Sequence, residues 1–379
     1  MVFHEKRAEI IHLLEEWLPI PQNLDELHEW TESAEEVIDS YDLSEYEQMY
    51  MDALLGSYEE QFKLIIQQQI VPEVSNEVMD ALCARNQIEQ RTDAWYKQMT
   101  TIISASELGN LFASSYQRSK FVISKTQPYQ PRKQQLAVPS GQMSAFDWGI
   151  RFEPVVKQIY EHLHRATIKE LGRMIHQVDP RCAASPDGLI YTSAKKGRLI
   201  EIKCPVTREI DGTVPKDYYH QMQMQLHVTG LYACEYVEAS FSSPYNREPM
   251  KHGPSCLLGT DGSYHGFIAL IRYASLRAGQ DFYYIYSPVN CDSDWIPMID
   301  ADEDIIEIIP WRLHQWSEQT VYKSNEWWRT THLLIDEFWR DVEKCKRGEF
   351  KQQESSRPVK KQKPSNDVCM ISFTRLDHS

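Results

Sequence analysis

Apolar and polar positions alternate with one period at the front of the chain and with several periods behind it. Up to about residue 90 the period is helical. In EIIHLLEEWL, Ile10, Leu13, Leu14, Trp17 and Leu18 fall three and four apart, the pattern of a helix with one buried face. Pro19 and Pro21 end that segment, because a helix interior needs the amide that proline lacks. The same spacing predicts helices over about 24–39, 44–70 and 73–88. From Arg91 onward the texture is mixed. TTIISASELGNLFASS predicts a turn leading into a helix, capped by Ser104 or Ser106, whose side-chain oxygen can accept a free first-turn amide. Residues 116–142 are rich in Pro, Gln, Ser and basic groups, with Tyr116, Phe121 and Tyr129 interleaved, and predict a long loop. A helix over 146–165 carries Phe152, Val155, Val156, Ile159 and Leu163 on its apolar side.

RCAASPDGLIYTSAKKGRLIEIKCPV then reads as strand, turn, strand, with TSAKKG as the turn. A helix over about 215–230 follows, then strands near 233–241, 264–273 and 281–287. The region 303–345 predicts helix again, with Trp311, Trp316, Trp327, Trp328 and Trp339 as packing residues. After about Lys346 the periodicity stops, and a basic, disordered tail is expected, in which RPVKKQKP is a weak candidate for a nuclear import signal or a DNA tether. The expected organisation is a helical accessory region over 1–90, a domain of mixed helices and strands over 91–345 and a tail over 346–379.

Composition narrows the class. With 379 residues, 42% hydrophobic and 25% charged, the chain has the makeup of a globular protein of about two domains. No apolar run approaches the ~20 residues that span a bilayer, and the charged N-terminus lacks a signal-peptide core. An intracellular protein with no membrane partner is expected. None of the 8 cysteines stands in a CxxC or other zinc-like spacing, so free thiols are expected rather than a metal cluster. No GxxxxGK-type phosphate loop argues for an ATP-driven motor, and no GxSxG elbow argues for a serine nucleophile. His162 and His164, as HxH on a helix, make poor geometry for one metal.

The net charge of −15 speaks against a polyanion partner until its distribution is read. Residues 1–90 hold 21 acidic and 4 basic residues, so the rest of the chain is slightly positive. Between Leu108 and Phe146 there is no Asp or Glu, but there are Arg118, Lys120, Lys125, Arg132 and Lys133. A polyanion responds to the local field, and this stretch is a candidate for contacting one. The acidic front region reads as a structural cap, as a docking module, or as a shield that keeps DNA off one face.

The chemistry concentrates in Asp187 and in Glu201-x-Lys203. An antiparallel hairpin turning near Ala194 places Asp187 opposite Glu201. Alternation then puts Glu201 and Lys203 on one face and Ile200 and Ile202 on the other. Two crowded carboxylates repel and need a cation, and hard oxygen ligands suit Mg²⁺ or Mn²⁺. A lysine beside them can position a water or lower its pKa. That set suits metal-assisted phosphodiester hydrolysis. Alone, ExK is an ordinary exposed strand pair and SPDG an ordinary turn; their order and spacing together carry the signal. In WGIRFEPVVKQIYE, Glu153 stands one helical turn after Gly149, which would allow close approach to the sheet, and supplies a third carboxylate. In YYHQMQMQ, Tyr218 and Gln221 share a helical face, where Gln221 can bond a phosphate or a water and Tyr218 can pack against a sugar–phosphate chain.

Five segments in this order, RTDAWYKQMTTIISASELGNLF, WGIRFEPVVKQIYE, SPDG, LIEIKCP and YYHQMQMQLHVTG, resemble the lambda-type, YqaJ-like viral recombination exonucleases of the PD-(D/E)xK nuclease superfamily, over about residues 91–290. The resemblance implies an α/β core, a central mixed sheet flanked by helices, and an Mg²⁺-dependent enzyme that degrades one strand of double-stranded DNA from a 5′ end. It implies Asp187, Glu201 and the Ile202 carbonyl as metal ligands and Lys203 as the water-activating residue. Glu153, Tyr218 and Gln221 become supporting residues. Ser106 and Ser185 are implied as holders of the terminal phosphate. The arginine that the family places before the serine motif is Met99 here, so Arg208, Arg118 or another residue of the basic stretch is the expected replacement. The acid upstream of SPDG is shifted, with Asp179 as the nearest candidate. The resemblance further implies a single-strand annealing protein as partner, a homo-oligomer, and a large DNA virus as source, acting in host cytoplasm or nucleus. Competing readings are a structure-selective endonuclease or resolvase on the same core, and a non-catalytic DNA-binding module. The intact Asp187, Glu201 and Lys203 argue against the last.

Overall fold

The structure is a computed structural model that describes residues 3–21, 24–131, 134–138, 143–206, 208–242, 264–277 and 279–353. Three helices open the chain, α1 (Phe3–Glu16), α2 (Leu24–Asp39) and α3 (Glu45–Ile70). They bury Ile10, Leu14, Leu27, Trp30, Ile38, Met51, Leu55 and Ile66 in a core of their own. The next helix, α4 (Asn76–Cys83), is shorter than its spacing suggests. Ser75 caps it, and Met79 and Leu82 join the core of the following region rather than that of α1–α3.

The remaining elements run α5 (Asp93–Gln98), β1 (Ile103–Ser104), α6 (Gly109–Phe112), α7 (Ser115–Ser124), α8 (Ala145–His164), β2 (Thr167–Lys169), β3 (Met174–Ile175), β4 (Cys182–Ala184), β5 (Gly188–Thr192) and β6 (Leu199–Lys203). They continue with α9 (Lys216–Thr229), β7 (Ala233–Ser242), β8 (His265–Arg277), β9 (Gln280–Tyr286), β10 (Asp304–Tyr322) and α10 (Asn325–Lys346). A seven-stranded sheet takes the order β2-β5-β6-β7-β10-β8-β9, and β1-β4-β3 form a small second sheet. Within the large sheet β6 and β7 run parallel, and the other described neighbours are antiparallel. Parallel neighbours cannot be joined by a tight turn, so α9 carries the crossover between β6 and β7.

Side-chain alternation divides the sheet between two helical layers. Ile190, Ile200, Ile202 and Val237 pack with Phe152, Val156 and Ile159 of α8. Leu189, Leu199 and Tyr236 pack on the other face with residues of α9 and α10. The expected fold class, a mixed sheet flanked by helices, is the one observed.

Two expected elements differ. The stretch 116–142 is not one long loop, because α7 occupies its first part. Ser114 accepts the Gln117 amide as a cap, and Phe121 packs against Phe338 of α10 at 4.7 Å, so tertiary burial overrides a polar composition. The region 303–345 is not one helix. Its first half is the long strand β10, paired with β7 on one side and β8 on the other. The β-branched run of Ile305, Ile308 and Ile309, and the missing amide of Pro310, suit a strand better than a helix. Helix resumes at Asn325, where the Ser324 side chain accepts from Trp327 N–H. The tail from 354, with RPVKKQKP, lies outside the described residues.

Candidate active site

The β5–β6 hairpin has the register read from the sequence. Gly188 faces Ile200 and Leu189 faces Leu199, which brings Asp187 opposite Glu201. The approach is tight: a Cβ on Gly188 would lie 2.4 Å from Ile168 Cγ2 on β2, so only glycine lets β5 follow Asp187 so closely. Ile200 and Ile202 enter the α8-side core, while Glu201 turns to the α9 side, as alternation requires.

Glu201 is fully buried. Gln221 Nε2 donates to its Oε1 at 2.7 Å and Gln225 Nε2 to its Oε2 at 2.6 Å. Lys203 Nζ also donates to Oε1. A buried carboxylate is tolerable only when its oxygens are satisfied, and these bonds to a charge are worth about 1.5–3 kcal/mol each. Asp187 is treated otherwise. It accepts the Ile202 N–H at 2.7 Å and forms no ion pair among the described residues. Burial and the Glu201 and Glu153 charges raise its carboxyl well above the ordinary range. Burial pulls the Lys203 pKa down, but the Glu201 and Asp187 carboxylates outweigh it and raise it above the usual lysine value. The ammonium lies 4.8 Å from the Tyr218 ring centre.

Glu153 reaches the same place from α8. Lys157 Nζ bonds it at 3.0 Å and Glu170 at 2.7 Å, and Arg91 Nη2 lies 3.2 Å from it. These groups line, or lie beside, a cavity of about 710 Å³ bordered by Asp187, Glu201, Ile202, Lys203, Tyr218 and Gln221 on one side and by Trp95, Met99, Ser104, Ser106, Arg173 and Ser185 on the other. Gly149 borders it too, but a Cβ there would meet open space. Its expected role in close packing on the sheet is therefore corrected: α8 is simply bare at that point.

No three His, Cys, Asp or Glu side chains converge into a ready-made metal cage among the described residues. Mg²⁺ does not need one, since it commonly uses one or two carboxylates and keeps several waters. The donor set fits such an ion. Asp187 and Glu201 are hard oxygen ligands on facing strands, and burial, together with the Glu201 and Glu153 charges, raises the Asp187 carboxyl.

The basic candidates fall elsewhere. Arg118 is bound to Asp341 at 2.9 Å and lies 3.5 Å from Glu337, both on α10. Lys125 is buried on Glu107 at 2.9 Å and on the Met99 carbonyl at 2.6 Å. Lys120 sits 5.4 Å from the Tyr116 ring centre, and Arg208 is paired with Glu238. None of these four borders the cavity. Arg132 and Lys133 lie outside the described residues. Asp179 is spent on Arg181 at 2.6 Å and His332 at 3.0 Å; despite burial, these bonds lower its pKa to about 2. Glu170, also upstream of SPDG, bonds Lys157 at 2.7 Å but does not border the cavity.

Several residues of the site escape a reading of the sequence. Gln225 stands four after Gln221 on the same helical face, so that spacing was a usable signal. Lys157 stands four after Glu153 in the same way. Arg91, with a left-handed φ of 66°, Trp95 and Arg173 had no such signal.

Residues 94–232 match the family model described as the YqaJ-like viral recombinase domain, which bears out the resemblance over that span. An uncharacterised protein of Acanthamoeba polyphaga mimivirus is 28% identical over 177 residues, covering 43% of this chain and 31% of the other. A protein of African swine fever virus is 28% identical over 182 residues, covering 40% of this chain and 50% of the other. The chain thus spans half or less of the curated relatives it matches. Among solved structures, an alkaline exonuclease from Laribacter hongkongensis aligns with a TM-score of 0.40 and 17% identity, over 68% of this chain and 97% of that one.

Proposed function

We propose that this protein is a divalent-metal-dependent deoxyribonuclease that removes nucleotides from the ends of linear double-stranded DNA, with Mg²⁺ as its ion and Mn²⁺ as a substitute. One observation carries the reading: Asp187 and Glu201 face each other across a hairpin, at the wall of a cavity, with Lys203 beside them and Asp187 without an ion pair among the described residues. Two acids crowded beside one ammonium are costly, and the arrangement suits phosphodiester hydrolysis. Digestion from the 5′ end, in recombination or repair of viral DNA, is what the family resemblance adds.

Asp187 and Glu201 would hold the ion, with the Ile202 carbonyl as the main-chain ligand. When bound, it would polarise the phosphate and make a water acidic enough to attack. Gln221 and Gln225 hold the Glu201 carboxylate in one orientation. Lys203, beside Glu201, would orient the attacking water and stabilise its negative charge. Glu153, tethered by Lys157 and Arg91, supplies a further carboxylate at the cavity wall. Tyr218 offers its ring to the strand, and Ser106 and Ser185 offer hydroxyls to its terminal phosphate. The single-stranded tail left by such digestion would be the substrate of an annealing protein.

The test compares linear and covalently closed circular duplexes with and without Mg²⁺. Mononucleotide release from linear DNA alone, abolished by chelation, is expected. Cutting of circles or branched junctions would move the assignment to an endonuclease on the same core, and no hydrolysis of any substrate would end it.

A further inference from the structure

Lys203 has an acid on either side of it and is bound to one of them. Strands β6 and β7 run parallel in a register that sets Lys203 beside Glu238 and Glu201 beside Tyr236. Registered residues of paired strands project from the same face, and Tyr236 packs in the α9-side core, so Glu238 stands on the face that carries Lys203 and Glu201. Neighbouring strands lie about 4.8 Å apart, whereas residues two apart along one strand lie about 6.6 Å apart. The backbone of Glu238 is therefore nearer to Lys203 than that of Glu201 is. Yet the Lys203 ammonium is on Glu201, over the Tyr218 ring at the cavity wall.

Arg208 accounts for that choice. Glu238 is 1% exposed, and an acid so buried is costly to leave unpaired. Arg208 Nη2 donates to its Oε1 and Nη1 lies 3.4 Å from its Oε2, so one planar guanidinium spans both oxygens. The Tyr236 hydroxyl donates to Oε1 as well. On its other side Glu238 is registered with Ser317 of β10, which brings no charge. Arg208 lies in the connection from β6 to α9, whose first residues, Cys204, Pro205 and Val206, border the cavity, whereas Arg208 does not. With Arg208 removed, the buried Glu238 would need another cation, and Lys203 is the one in register with it.

Given the nuclease reading, on which this inference rests, Lys203 serves hydrolysis only while it stays beside Glu201 at the cavity. We propose that Arg208 is a positioning residue: by occupying Glu238 it keeps Lys203 on Glu201, and it touches neither substrate nor ion itself. A cation that the sequence offers to DNA is thus committed inward, to the acid that competes for the lysine.

The experiment measures hydrolysis of a linear duplex in Mg²⁺ and its binding by fluorescence anisotropy in EDTA. Arg208→Met should lower kcat at least about tenfold, with KM and DNA affinity within about twofold of wild type. Glu238→Gln removes the competing charge and should keep kcat within about threefold of wild type; added to Arg208→Met, it should return kcat to that level. The double variant strands no buried charge, so it stays decisive should Arg208→Met fail to fold: recovered kcat supports the proposal, and a kcat about tenfold below wild type overturns it. Weaker DNA binding in Arg208→Met that Glu238→Gln does not restore, or equal loss of kcat in the two single variants, also overturns it. Urea unfolding reads the same competition without activity. The midpoint shifts of Lys203→Met and Glu238→Gln should add in the wild-type background and fail to add in the Arg208→Met background. A wild type that hydrolyses nothing but shows this coupling loses the nuclease reading and keeps the arrangement. Hydrolysis by the wild type with additive shifts in both backgrounds does the reverse.

Discussion

The two ends of the β5–β6 hairpin both gather carboxylates indoors and treat them in opposite ways. At the turn, Glu235 is fully buried between Lys195 and Arg198, each at 2.7 Å, with Thr320 at 3.0 Å. Its neighbour Glu318 takes Lys195 at 3.1 Å, His164 at 2.7 Å and the Trp316 ring N–H at 2.8 Å. Charge is balanced there, and none of these residues borders the large cavity. At the open end Asp187 has no ion pair among the described residues, Glu201 shares its one lysine with two amides, and both acids face that cavity. A fold spends matched pairs where it needs a junction and leaves acids short of cations where something else is to supply the charge.

The sharpest way to break this contrast is substitution at the open end. Asp187→Asn or Glu201→Gln should cut hydrolysis by about a thousandfold or more while DNA binding is retained, and in Asp187→Asn the melting temperature should stay near wild type. Near-normal turnover in either variant would show that the acids are not chemical. The turn end should behave in the reverse manner. Glu235→Gln strands Arg198 and leaves Lys195 only Glu318, and chemical denaturation should register a loss of about 3 kcal/mol, with turnover per folded molecule within about twofold of wild type. Stability unchanged by that substitution would erase the distinction from one side.

A divalent ion sharpens it further. Mg²⁺ at about a hundred times its dissociation constant should stabilise the wild type by about 2.7 kcal/mol. The gain should vanish in Asp187→Asn and persist in Glu318→Gln; a gain that survives in the former places the ion elsewhere. The smallest effect is in pH. Burial raises the Glu318 carboxyl, but bonds from His164, Trp316 and Lys195 outweigh it and lower its pKa below the glutamate value. A carboxyl depressed on folding adds stability above its unfolded pKa and loses it as pH falls through the folded one. Glu318→Gln should therefore flatten the acid limb of the stability profile, by less than about 1 kcal/mol given its partial exposure. An acid limb identical to wild type would mean that Glu318 is not linked to folding.

Much of the open end was legible because its geometry is local. A short turn and a two-residue period determine which residues of a hairpin face each other, and Asp187, Glu201 and Lys203 needed nothing more. Gln221 and Tyr218 followed from helical spacing in the same way. The basic stretch shows the limit. Arg118 and Lys125 look like a polyanion surface in the sequence, but α7 and α10 meet and absorb Arg118 in an ion pair with Asp341, while Glu107 absorbs Lys125. A charge run states which residues are cations and is silent about which acids a distant segment will bring to them. The strand β10 differs from the expected helix for a related reason: its isoleucines lean toward strand, but its tryptophans suit either element, and pairing with β7 and β8 on its two sides settles it.

Sequence alone therefore determined the local geometry of the candidate site: the facing acids, the adjacent lysine and the helix that supports them, because each depends on contacts a few residues apart or across one turn. Tertiary structure decided what remains unpaired. Arg91 and Arg173 come to the cavity from segments far from the hairpin, one to be neutralised by Glu153 and the other to form no ion pair among the described residues, and that outcome depends on long-range packing, which no spacing along the chain encodes.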